Sequence, residues 1–108
     1  KLSNNNTALG EGALHTLEIT NVISNGNTAL GTGALYRLKE GDRNIAIGSE
    51  AGAYYEKGAD NILIGGATQS PTKTLPIWNN IVIGSGSGNS LDSNSYQNVF
   101  VLIMPLSS

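Results

Sequence analysis

The carboxylates of the chain are Glu11, Glu18, Glu40, Asp42, Glu50, Glu56, Asp60 and Asp92. Glycoside hydrolysis needs two such groups on opposite sides of a sugar bond, and a pair formed across subunits would meet that need without any fixed spacing along the chain. His15 is the single histidine. It has no serine and aspartate arranged around it as nucleophilic catalysis requires. Three copies of it around a symmetry axis could hold a metal ion, but an exposed loop position is the simpler reading, and we assign neither a metal nor a cofactor. Gly84-Ser85-Gly86-Ser87-Gly88 has the composition of a phosphate loop but lacks the Lys-Ser/Thr pair and the helix that would follow. It reads as a glycine-serine turn. These residues do not assemble a catalytic group, so the chain is read as a non-enzyme.

Binding chemistry is better represented. Tyr36, Tyr54, Tyr55 and Trp78 could stack on sugar rings, since tyrosine and tryptophan combine a broad apolar face with a polar edge. All four fall in connecting segments, where recognition residues concentrate. Trp78 lies in the long insert from Thr68 to Asn79, with Pro71 and Pro76. Arg37, Lys39, Lys57 and Lys73 occupy similar segments and are candidates for pairing with acidic loops of a neighbouring subunit.

What must position these side chains is a repeat. One block recurs as Asn6-Thr7-Ala8-Leu9-Gly10, Asn27-Thr28-Ala29-Leu30-Gly31 and Asn44-Ile45-Ala46-Ile47-Gly48. It continues as Asn61-Ile62-Leu63-Ile64-Gly65, Asn80-Ile81-Val82-Ile83-Gly84 and Asn98-Val99-Phe100-Val101-Leu102. A period near 20 with variable loops describes coils of a solenoid. The three residues after each Asn are mostly β-formers. Asn suits the turn before them, and Gly the turn after. Asparagine ladders between coils are the expected role of the repeated Asn. A second block, clearest in Gly12-Ala13-Leu14 and Gly33-Ala34-Leu35, predicts a second short strand in each coil.

Side chains alternate across a strand. The first and third positions of the block (Leu30, Ile47, Ile64, Ile83 among them) point one way. The middle positions (Ala29, Ala46, Leu63, Val82, Phe100) point the other. Both faces are apolar, so both require burial: one in the coil interior, the other against a partner. The simplest partner is the same strand in other copies. The fold class that follows is all-β: a short parallel β-solenoid, or β-roll, of about six coils, intertwined or side by side as a homotrimer. Residues 1–97 form the repeat domain. Residues 98–108 form a terminal strand and cap, where the apolar run Val99 to Pro105 closes the stack and Pro105 discourages further pairing.

The bulk numbers agree. Only 13% of the 108 residues are charged, the net charge is −2 and there is no cysteine. Six scattered basic residues do not make the cationic face that nucleic-acid binding needs. No apolar run reaches the length of a membrane span.

Asn27-Thr28-Ala29-Leu30-Gly31-Thr32-Gly33-Ala34-Leu35 resembles the Asn-Thr-Ala-aliphatic-Gly-x-x-Ala-Leu repeats of bacteriophage tail fibres. Asn44-Ile45-Ala46-Ile47-Gly48 also resembles blocks in the heads of trimeric autotransporter adhesins, which are trimeric left-handed β-rolls. The resemblance covers about residues 3–90, and the spacing departs from the shorter adhesin repeat, which favours the fibre. It implies a homotrimeric structural and attachment segment in a virion tail, with a host-surface glycan or protein receptor as partner. A bacterial surface adhesin and a polysaccharide-cleaving tailspike segment are the alternatives.

Overall fold

A computed structural model describes residues 5–17, 23–66, 68, 77–86 and 99–101. The protein is an all-β parallel solenoid of about three turns, with no α-helix among the described residues. Its main sheet stacks six three-residue strands as parallel rungs: β1 (Thr7–Leu9), β2 (Thr28–Leu30), β3 (Ile45–Ile47), β5 (Ile62–Ile64), β7 (Ile81–Ile83) and β8 (Val99–Val101). A separate two-stranded sheet pairs β4 (Gly58–Ala59) with β6 (Ile77–Trp78). Each rung sits in register with the next, so that Ala29, Ala46, Leu63 and Val82 form one column.

That column is the interior. Ala29, Ala46, Leu63 and Val82 are all buried, while the flanking columns, with Leu9, Leu30, Ile45, Ile47, Ile81, Ile83, Val99 and Val101, face outward and exposed. The sequence left open which apolar face lies inside. The structure assigns the middle position to the coil core, and the residues expected to share a packing role divide accordingly. Ala29, Ala46, Leu63 and Val82 are core. Leu30, Ile47, Ile64 and Ile83 belong to the outer face. The side chain of Phe100 and the cap from Leu102 onward lie outside the described residues.

The rest of the core comes from the second block and the turns after it, with Leu14, Leu17, Ala34, Leu35, Leu38, Ala51 and Tyr55, and from Ile77 of β6. Here the expected second strand is instead a chain of tight turns. Ala34 N–H donates to Gly31 O at 3.2 Å, Tyr36 N–H to Gly33 O at 3.1 Å and Leu38 N–H to Leu35 O at 3.2 Å. Leu14 and Leu35 occupy left-handed backbone conformations, at φ 54° and 51°, which an extended strand does not permit. Neighbouring turns are still tied together: Leu14 N–H donates to Ala34 O at 3.0 Å, and Leu35 N–H to Ala51 O at 2.9 Å. At the next rung Gly52 replaces the leucine. A Cβ there would lie 2.6 Å from Leu63 Cδ1 and 2.9 Å from Leu35 Cδ2, so the leucines of the neighbouring rungs fill the space that a side chain at Gly52 would need.

Two polar columns lock the rungs. Where each strand ends, glycines stack so closely that a Cβ on Gly31 would sit 2.6 Å from Gly48 O, at φ 129°. Only glycine is compatible with both the conformation and the approach. Where each strand begins, Asn27, Asn44, Asn61 and Asn80 form a buried ladder. Asn44 shows the full pattern. Its Nδ2 donates to Asn27 Oδ1 at 3.0 Å and to Gly58 O at 2.7 Å. Its backbone N–H donates to Asn27 Oδ1 at 3.0 Å. Its own Oδ1 accepts from Asn61 N–H at 3.2 Å and Asn61 Nδ2 at 2.9 Å. An amide has two donors and an acceptor with two lone pairs, and all are used. Asn27 and Asn61 are saturated in the same way, so these three rungs of the ladder are structural and leave no amide group for a ligand.

Candidate functional site

Three surfaces carry the side chains singled out by sequence. The first is the outer face of the main sheet. Because the strands are in register, the first positions from Ile45 to Val99 and the third positions from Leu9 to Val101 align as two parallel aliphatic columns. Leu9 is 66% exposed, and Ile47 36%. Together the exposed members present on the order of 600 Å² of apolar surface, the upper end of what a monomer usually shows.

The second surface is built by the turns. Positions His15, Tyr36 and Ala53 are equivalent on three successive rungs, as the bonds from Thr16 N–H to Tyr36 O (3.0 Å) and from Arg37 N–H to Ala53 O (3.1 Å) establish. The His15 and Tyr36 rings stack with centroids 4.6 Å apart and planes 1° from parallel, close to the spacing of the rungs themselves. Beside them runs a groove of ≈ 500 Å³ lined by Glu11, Gly12, His15, Thr32, Gly33, Tyr36, Ser49 and Glu50. Gly12, Gly33 and Glu50 in its lining occupy equivalent positions on three successive rungs. A second cleft of ≈ 240 Å³ adjoins it across Tyr36 and Glu50 and is lined also by Arg37, Ala53 and Tyr54. Arg37 lies over the Tyr54 ring, its guanidinium carbon 4.9 Å from the centroid.

Of the four candidate aromatics, the structure therefore brings Tyr36 and Tyr54 together. Trp78 is exposed on the separate β4–β6 sheet, in register with Ala59, and lines neither cleft. Tyr55 is corrected from a surface candidate to a core residue: it is 2% exposed, at the position that Leu17 and Leu38 fill on earlier rungs. Its Oη has no hydrogen-bond partner among the described residues, and burial pushes the phenol well above its ordinary value. Phenol protonation therefore supports the fold fully below the unfolded-state value near pH 10, and that support is lost as pH rises above it. Removing an unpaired buried hydroxyl relieves desolvation, so Tyr55→Phe is expected to stabilise the chain by about 1 kcal/mol, read as a raised Tm in thermal unfolding at neutral pH.

The third surface is an exposed set of charges. Lys39 pairs with Glu56 at 3.0 Å and Lys57 with Glu40 at 3.6 Å. Arg43 makes a two-pronged contact to Asp60 at 2.7 and 3.0 Å, and that hydrogen bonding lowers the Asp60 carboxyl below its usual value. The cations expected to reach a neighbouring subunit thus find partners on adjacent rungs of their own chain, except Arg37 on its tyrosine and Lys73, which lies outside the described residues. No cluster of three or more potential metal ligands occurs among the described residues, and no described helix is long and apolar enough to cross a membrane.

Sequence reasoning missed the Glu11–Glu50 groove. The signal was present in the second block, where Gly12, Gly33 and Glu50 occupy one aligned position, but the two-strand reading of that block hid it. No family model, curated protein or solved structure matches the chain.

Proposed function

We propose that the chain is a structural and attachment segment of a homotrimeric fibre, a six-coil solenoid assembled around an axis parallel to its stack. The observation that carries this reading is the pair of aliphatic columns on the outer face of a sheet whose other face already forms the coil core. Parallel sheets are normally covered on both sides. A second chain of the same sequence supplies a matching surface of the same length and rung spacing. Two columns per chain also suit a closed ring: the first-position column of one copy meets the third-position column of the next, and every copy is used twice. Ring closure by such head-to-tail contacts is a standard route to cyclic symmetry. The number three, and the placement in a phage tail, rest on the resemblance of the Asn-Thr-Ala-Leu-Gly blocks to tail-fibre repeats.

In that assembly the inner columns exclude water and stiffen the shaft, and the turns with Tyr36 face outward as repeated sites for a host-surface glycan. Three copies on one rigid support raise weak single-site binding through effective concentration. A chain carrying Ile45→Cys and Ile47→Cys tests the column-to-column contact. The two cysteines lie on one strand with the same facing and belong to different columns. Mild oxidation is expected to yield a covalent trimer on a non-reducing gel. Recovery of monomer alone would reject the assembly.

A further inference from the structure

The aromatic ladder of the turns stops one rung early. His15 and Tyr36 stack at the rung spacing, and the next equivalent position holds Ala53. Above Ala53 lies the ≈ 240 Å³ cleft, bounded by Tyr36, Gly33, Glu50, Arg37 and Tyr54. Tyr36 remains 39% exposed although His15 covers one of its faces. The cleft is thus a vacancy in a ladder of rings, below the usual volume of a drug-sized site and suited to a single ring.

The rim decides what kind of ring. It carries one carboxylate, Glu50, and one guanidinium, Arg37, so its formal charge is balanced. Glu50 can only accept hydrogen bonds and Arg37 can only donate them. A pyranose satisfies both, because each of its hydroxyls donates and accepts, and its apolar C–H face can lie on Tyr36. A phenyl ring would fill the same volume and make no hydrogen bond to either charged group. A uronic acid or an amino sugar meets one attracting and one repelling group across a cleft only one ring wide, so the balanced rim gives a charged sugar no net electrostatic gain over a neutral one.

We infer that the vacancy over Ala53 seats one neutral pyranose ring, stacked on Tyr36 and held at its edge by Glu50 and Arg37. This rests on the reading of the turn face as a glycan-binding surface and adds the sugar class and the seat. With about a dozen heavy atoms, a single ring is expected to bind with a dissociation constant on the order of millimolar.

The test is an amide NMR titration of the isotopically labelled chain with the methyl glycosides of glucose, galactose and mannose, and with galacturonic acid, glucosamine and phenol. At least one neutral glycoside is expected to move the signals of Arg37, Ala53 and Tyr54. Ala53→Tyr, which completes the ladder, is expected to weaken that binding at least tenfold with signal dispersion retained. If that variant does not fold, Tyr36→Leu serves instead, with the same expected loss. Tighter binding of galacturonic acid, glucosamine or phenol would overturn the sugar class. Neutral glycosides that move only signals near Glu11 or Trp78, or that bind either variant unchanged, would overturn the seat and leave the glycan reading standing. No response to any sugar at 
roughly tenfold the millimolar constant expected for one ring would overturn both.

Discussion

Asn44→Asp is expected to destabilise the chain by about 4 kcal/mol or more, although the two side chains are nearly the same size. Asn44 is 2% exposed. Its Nδ2 supplies hydrogens to Asn27 Oδ1 and Gly58 O. In the aspartate an oxygen takes that place and faces two acceptors. Gly58 O then loses the Nδ2 donor and Asn27 Oδ1 keeps only the backbone N–H of residue 44, at about 1–3 kcal/mol for the lost pairing, and a charge with no cation beside it is held in the core against two acceptor oxygens, which adds several kcal/mol. A domain of this size has roughly 5–15 kcal/mol in total, so the variant sits near its unfolding midpoint at pH 7. The direction with pH follows. Burial among acceptors raises the folded-state carboxyl above its unfolded value near 4. The protonated form is therefore the one the fold tolerates, so stability returns as the solution is acidified toward pH 4 and is lost again as pH rises. Circular dichroism with urea unfolding at pH 4 and pH 7 checks both the size and the sign. An Asn44→Asp chain as stable at pH 7 as the parent would show that the ladder contributes little.

The second large effect separates two adjacent residues. Ala46→Asp is expected to abolish folding, and Ile47→Asp to leave the coil folded while separating the copies. Ala46 is fully buried in the central column between Ala29 and Leu63, with no room for a carboxylate and no partner for it. The cost of such a charge, several kcal/mol at least, is comparable with the whole stability of the domain. Ile47 points outward. As a monomer the variant exposes a carboxylate to water at little cost. In the assembly one carboxylate per chain would face its neighbour across an apolar contact, desolvated and close to like charge. Far-ultraviolet circular dichroism together with sedimentation velocity distinguishes the two outcomes. Loss of β signal in both variants, or in neither, would contradict the assignment of faces.

Much of this architecture was legible because a solenoid repeats its constraints. The Asn that opens each block and the Gly that closes it occupy positions where one residue type fits, and the ladders at Asn27, Asn44 and Asn61 and the close approach of Gly31 to Gly48 follow from that. Alternation along three-residue strands revealed two apolar faces. It did not say which was interior, because the Ala-Ala-Leu-Val middle column and the Ile columns beside it are both apolar enough to be a core until the turns are placed. The turns themselves were harder. Gly33-Ala34-Leu35 repeats as regularly as the strand block, yet Leu35 takes a left-handed conformation that a leucine does not announce. Once that block is a series of turns, inward facing recurs at every third residue, as at Leu14 and Leu17 or Leu35 and Leu38. Tyr55 moves into the core and Tyr36 onto the surface, although the two lie in similar segments. The pairing of Lys39 with Glu56 and of Lys57 with Glu40 also depended on the register of the turns, which the spacing of the blocks alone did not fix.

The central claim is that the outer aliphatic columns are covered by other copies of the chain. The most direct measurement is the mass of the chain in solution by light scattering, over a range of concentrations. The account predicts a single species at about three times the 11.2 kDa of one chain, with the Ile47→Asp chain at the mass of one. A parent chain that stays folded and monomeric at every concentration would contradict it.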